Sequence, residues 1–91
     1  MPALKKLPPE SLRAILEADG FKLRYEDEFN WWLSRGLTDI PLNVPKEVGE
    51  DGCVSFLVME SVLFDAAIDH KKYFLLYTAV FGDKKGPANG S

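Results

Sequence analysis

Few residues in this chain could do covalent or acid–base chemistry, and they lie apart in sequence. Glu26, Asp27 and Glu28 form a run of three acids. Carboxylates held close together can divide into a general acid and a general base when their surroundings separate their pKa values. His70 is the single histidine and follows Asp69 in "AIDHKK"; an imidazole is the side chain best suited to proton exchange near neutral pH. Cys53 is the single cysteine, a nucleophile only if a base activates it, and no histidine is near it in sequence. Each also has a plainer reading. The acids read as a solvated hairpin turn, His70 as a helix-start residue, and Cys53 as a small buried or loop residue. No histidine or cysteine cluster has metal-ligand spacing, and "GEDG" lacks the lysine and following helix of a phosphate-binding loop. No metal and no cofactor are expected.

Composition narrows the function classes. The chain has 91 residues, 46% of them hydrophobic and 27% charged, which suits one domain with a single core. We expect that domain over residues 1–82. The tail "GDKKGPANGS" reads as disordered over residues 83–91. The net charge of -3 argues against strong non-specific phosphate binding, which needs a surplus of Lys and Arg. One cysteine excludes an internal disulfide and fits a reducing, cytoplasmic setting. No apolar run reaches the roughly 20 residues that cross a bilayer, and no secretion signal is visible at the N-terminus. The expectation is a cytoplasmic protein without membrane contact.

The elements that would position any site follow from periodicity. In "LPPESLRAILEADGF" two prolines and Glu10 precede Leu12, Ile15 and Leu16, and Gly20 supplies a stop; this predicts a helix over residues 9–19. Phe21, Leu23 and Tyr25 alternate with Lys22 and Arg24 as a half-buried strand. "EFNWWLSR" is a second strand, with Phe29, Trp31 and Leu33 on one face and Asn30, Trp32 and Ser34 on the other. "IPLNVP" is a third, with Ile40, Leu42 and Val44 on one face. Its bracketing Pro41 and Pro45 argue for a sheet edge or strand ends, because proline cannot donate to the ladder. Length favours a helix over residues 55–67. The run over residues 73–81 is so uniformly apolar that periodicity leaves helix and strand open.

The order helix, three strands, helix, and several local sequences resemble the HicA toxins, also called the YcfA-like family. "MPALKKLPPESLRAILEADGFKL" is similar to their opening, a Met-Pro start whose helix closes at a Gly-Phe pair. "VPKEVG", 44–49, fits their Val-Pro-basic strand end, and "AAIDHKKYFLLY" resembles the turn into their final helix. The resemblance runs from residue 1 to about residue 77, carried by order and spacing rather than by one motif. It implies an α+β fold like that of double-stranded-RNA-binding domains: a three-stranded antiparallel sheet with helices packed on one face, α-β-β-β-α, with an extra C-terminal helix or strand. It also favours the helical reading of residues 73–81. Members of the family are mRNA interferases with a catalytic histidine on the central strand, neutralised by a HicB antitoxin.

One departure decides the chemistry that the resemblance implies. The family's "GSHH" falls on "EFNW", so the histidine position is Asn30. Asparagine cannot exchange a proton near neutral pH, and the neighbouring acids would repel a phosphate backbone. The chain is therefore expected to bind rather than cleave. The expected surface comprises Trp32, Asn30, Glu26, Asp27 and Glu28, and there is no catalytic residue. The alternative is a HicA-type ribonuclease in which His70 or Glu28 replaces the missing histidine. The expected partner is a protein, a HicB-like antitoxin or another regulator, and imitation of phosphate charge is one way such an acidic protein could act. Trp32 on the open sheet face has three readings: cover by the C-terminal segment, a partner or self-association surface, or base stacking. Acids beside it make RNA the least favoured partner. The apolar stretches 56–68 and 73–81 exceed what one small core needs, which favours a homodimer.

Overall fold

The first helix, α1 (Pro9–Ala18), starts at proline and is closed off by a glycine two residues past its end, for reasons local to the backbone. Pro9 occupies the first turn, where a missing N–H costs nothing. At the other end Gly20 adopts φ +100°, a left-handed conformation open to a residue without Cβ. The Phe21 N–H then donates to the Leu16 carbonyl at 3.1 Å and the Gly20 N–H to Glu17 at 3.0 Å, a Schellman closure that leaves Phe21 buried. The structure, a computed structural model, describes residues 6–36 and 40–82. The tail expected to be disordered, 83–91, lies outside the described residues.

Three strands follow: β1 (Lys22–Glu26), β2 (Asn30–Ser34) and β3 (Leu42–Pro45). They form one antiparallel sheet in the order β1-β2-β3, so the proline-bracketed β3 is an edge strand. Two helices complete the described chain, α2 (Phe56–Asp65) and α3 (His70–Phe81). Ser55 caps α2 by accepting from the Val58 N–H at 3.3 Å, and Asp69 caps α3 by accepting from the Lys72 N–H at 2.8 Å. The protein is thus a small α+β fold, and the apolar run 73–81 is helical.

The core joins the helices to one face of the sheet. Leu33 pairs with Leu23 on one side and Leu42 on the other, and Trp31 pairs with Val44. These residues share a single apolar cluster with Leu12, Ile15 and Leu16 of α1, Met59, Val62 and Leu63 of α2, and Tyr73 of α3. Burial there pushes the Tyr73 phenol up to about 12. Trp31 is buried with Arg13 and Lys46 over its ring, at 5.1 and 5.3 Å.

Three expected core residues are not in the core. Phe29 precedes β2, in the turn, and is exposed; Ile40 precedes β3 and is exposed. Alternation assigns a face only inside the ladder, and neither residue is paired in it. Tyr25 is 60% exposed because the β1–β2 register shifts between Leu23 and Tyr25. There Arg24 and Tyr25 together oppose Trp32, a β-bulge that turns Tyr25 to the other face.

The polar ties sit where the helices meet. The Asp19 carboxylate accepts from Arg35 and from Lys72, the latter at 3.0 Å. Arg35 also donates to the Ala66 carbonyl at 3.1 Å and lies 4.7 Å from the centre of the Phe21 ring. Asp19 thereby connects the end of α1 to α3 and to the residue after β2, and through Arg35 to the end of α2. Among the described residues no helix is long and apolar enough to cross a membrane.

Candidate functional site: the helix-free face of the sheet

The bulge at Arg24 and Tyr25 builds this face. Tyr25 of β1 and Asn43 of β3 are the ladder partners of Trp32, so a phenol, an indole and an amide form one row across the sheet. Asn30, two residues before Trp32 on the same face, accepts from Asn43 Nδ2 at 2.9 Å. At the other end of β2 the Arg24 Nε donates to Ser34 Oγ at 2.9 Å, and that hydroxyl donates to the Gly36 carbonyl at 3.0 Å. The amide pair and the Arg–Ser bond hold the polar neighbours of Trp32 in place. α3 does not cover the row: it packs on α1, on the opposite side of the sheet.

Trp32 itself is half-buried, and its Nε1 is buried without a hydrogen bond of ordinary geometry. Asp27, in the turn before β2, has its carboxyl held below the usual range. The Phe29 N–H is the largest cause of that shift and Trp32 a smaller one. The indole is thus close enough to favour the carboxylate but not placed to bond it. An indole N–H without a proper partner is unusual in a settled interior.

The three acids have separate roles. Asp27 Oδ1 accepts from the Phe29 and Asn30 N–H groups at 2.9 and 2.8 Å, shaping the turn into β2. Glu26 meets Lys46 at 2.6 Å, and that bond is the main reason its carboxyl is held down. Lys46 also donates to the Asp27 carbonyl at 2.8 Å, so the pair ties the β1–β2 turn to the end of β3. Glu28 is exposed and makes no ion pair with a described residue. It lines a depression of about 510 Å³ with Phe29, Asn30, Pro45, Lys46 and Glu47. Two of the three acids are therefore bound within the fold, and only Glu28 presents a free charge beside Asn30.

His70 is elsewhere. It is the first residue of α3 and lines a groove with Glu60, Phe64 and Asp69 on the helical side. Cys53 is half-buried in the loop before α2, and its N–H donates to Asp51 at 3.0 Å. The described residues contain no group of His, Cys, Asp and Glu able to hold a metal ion. The structure brings Asn30 and Trp32 onto one face and Glu28 to its rim, and it keeps His70 and Cys53 away from them. Tyr25, Arg24 and Asn43 were not among the sequence-derived site residues. A bulge formed without glycine leaves no mark in the sequence by which Tyr25 could have been moved to this face.

The chain matches no family model, no curated protein and no solved structure. What the face can do chemically follows from its own side chains. Aromatic rings and amides offer stacking area and fixed hydrogen-bond donors and acceptors, which suit binding.

Proposed function

We propose that this chain is a non-catalytic binding protein that holds a protein partner on the helix-free face of its sheet. The scaffold we assign is HicA-like, of the double-stranded-RNA-binding-domain type, with its nuclease function absent. The observation that carries this reading is the row Tyr25, Trp32 and Asn43, an aromatic and amide surface with its flanking side chains already hydrogen-bonded. Large aromatic side chains set in a fixed polar frame are the usual anchors of protein interfaces. Asn30, which occupies the position of the family's histidine, has its carbonyl oxygen bonded by Asn43. That further favours a structural role over proton transfer. The protein partner is a HicB-like antitoxin or another regulator, and the free cysteine fits work in the cytoplasm.

The test uses the whole chain in two arms. Incubated with single-stranded RNA, the wild-type protein is expected to leave it intact. RNA cleavage that disappears in His70→Ala or Glu28→Ala would establish the ribonuclease and end the binding reading. In the second arm, a HicB-like protein encoded beside the gene is titrated against wild type and Trp32→Ala. Binding is expected to weaken about 30-fold or more on loss of a central tryptophan. Equal affinity for both proteins would remove the assigned face.

A further inference from the structure

The outer surfaces of α2 and α3 carry apolar side chains that the fold leaves uncovered. Leu57 and Phe64 are 80% and 83% exposed, and seven residues apart on α2 they lie on one stripe. On α3, Phe74 and Leu75 are also exposed. That helix is apolar on nearly every side, yet only Tyr73 is fully buried, whereas a helix apolar all round is normally enclosed. A groove of about 330 Å³, lined by Glu60, Leu63, Phe64, Ile68, Asp69 and His70, runs between the end of α2 and the start of α3. Phe64 of the α2 stripe lines it, and so does His70, one turn before Phe74 on α3.

We propose that this surface is a self-association face and that its occupant is a second copy of the chain. The charges on it are arranged for pairing with themselves. Glu60 stands on the α2 stripe and Lys71 on the first turn of α3; both are exposed, and neither pairs within the described residues. Lys72, by contrast, is already engaged with Asp19. A two-fold axis places each element against its symmetry counterpart, so that residue i meets j and j meets i. With α2 of one copy on α3 of the other, Glu60 meets Lys71 twice, and Leu57 and Phe64 cover Phe74 and Leu75.

The area is of the right size. Those four apolar side chains leave roughly 500 Å² uncovered per copy, taking about 200 Å² for a whole aromatic side chain. Two copies would bury roughly 1,000 Å² from these residues alone, most of a standard interface of about 1,600 Å². A patch of that size on a lone chain is a liability in water.

This inference does not rest on the sheet-face reading, and the experiment separates them. Sedimentation and light scattering of the wild-type chain at about 0.1 mM are expected to give twice the chain mass of 10.2 kDa. Phe64→Asp, at a solvent-facing position, is expected to give the single-chain mass with an unchanged far-ultraviolet dichroism spectrum. Glu60→Lys alone and Lys71→Glu alone are each expected to weaken association about five-fold or more, and the double exchange to restore it. Trp32→Ala, on the opposite side of the sheet, is expected to leave the mass doubled. A monomeric wild type would overturn the proposal and leave the surface to a different protein. A dimer that survives Phe64→Asp, or one lost in Trp32→Ala, would overturn the choice of face. Failure of the double exchange to restore association would overturn the Glu60–Lys71 contact on which the two-fold arrangement is built.

Discussion

Tyr25 and Trp32 face each other across the β1–β2 ladder, on the side of the sheet that carries no helix. Trp31, one residue earlier in β2, points the other way into the core, opposite Val44. Two adjacent tryptophans therefore belong to different parts of the protein. One closes the interior, and the other anchors the surface proposed for binding.

The two should separate in unfolding experiments. Trp31→Ala removes a buried indole from among α1, β3 and the Arg13 and Lys46 stems, and is expected to cost about 3–5 kcal/mol. Trp32→Phe keeps an aromatic ring but deletes an N–H without a proper partner, so its cost is expected to stay below about 1 kcal/mol. Urea titration followed by the fluorescence of the remaining tryptophan measures both. Similar losses for the two variants would contradict the assignment of one tryptophan to each face.

Asp19 is expected to shape the acid limb of stability. Burial alone would raise its pKa, but the bonds from Lys72 and Arg35 outweigh burial and lower it from 3.8. A carboxyl depressed in the folded state contributes stability that is fully present above the unfolded value. That contribution is lost as pH falls below about 3.8 through the depressed folded value. Asp19→Asn is expected to lower stability by about 1–2 kcal/mol at neutral pH, since the partners are partly solvated. It should also flatten the decline below pH 4. Thermal melts of wild type and variant across that range decide it, and parallel pH profiles would count against the network.

The two Schellman closures differ in one residue. At the end of α2 the Ile68 N–H donates to Leu63 at 2.9 Å and the Ala67 N–H to Phe64 at 3.0 Å, the same pattern as at Phe21 and Gly20. Here, however, the left-handed position holds Ala67, at φ +61°. A Cβ in that conformation costs roughly 1–2 kcal/mol, partly offset by the greater unfolded freedom of glycine. Ala67→Gly is expected to raise stability by about 0.5–1 kcal/mol, seen as a higher Tm. A lower Tm would mean that the closure is not strained.

Much of the fold was legible because its signals are local. The prolines and Gly20 that bound α1, the alternation around Trp31 and Leu33, and the prolines that send β3 to an edge all act through neighbouring residues. The candidate site was legible only in part. Asn30 and Trp32 were assigned to their face by the period of the strand. Tyr25, Arg24 and Asn43 joined them only through strand pairing, and the engagement of Glu26 with Lys46 and of Asp27 with the turn N–H groups likewise came only with the fold.

By itself, the sequence determined the order of elements as far as α2, the face of each residue inside an unbroken strand, and the absence of histidine at position 30. Propensity, alternation and residue identity do not depend on distant contacts. The tertiary structure decided what the register and packing decide. It placed the bulge that turns Tyr25 toward Trp32, put α3 on α1 rather than across the sheet, and left Leu57, Phe64, Phe74 and Leu75 facing water. A one-residue shift in pairing exchanges the faces of a strand. A helix apolar all round has no preferred side until its neighbours supply one.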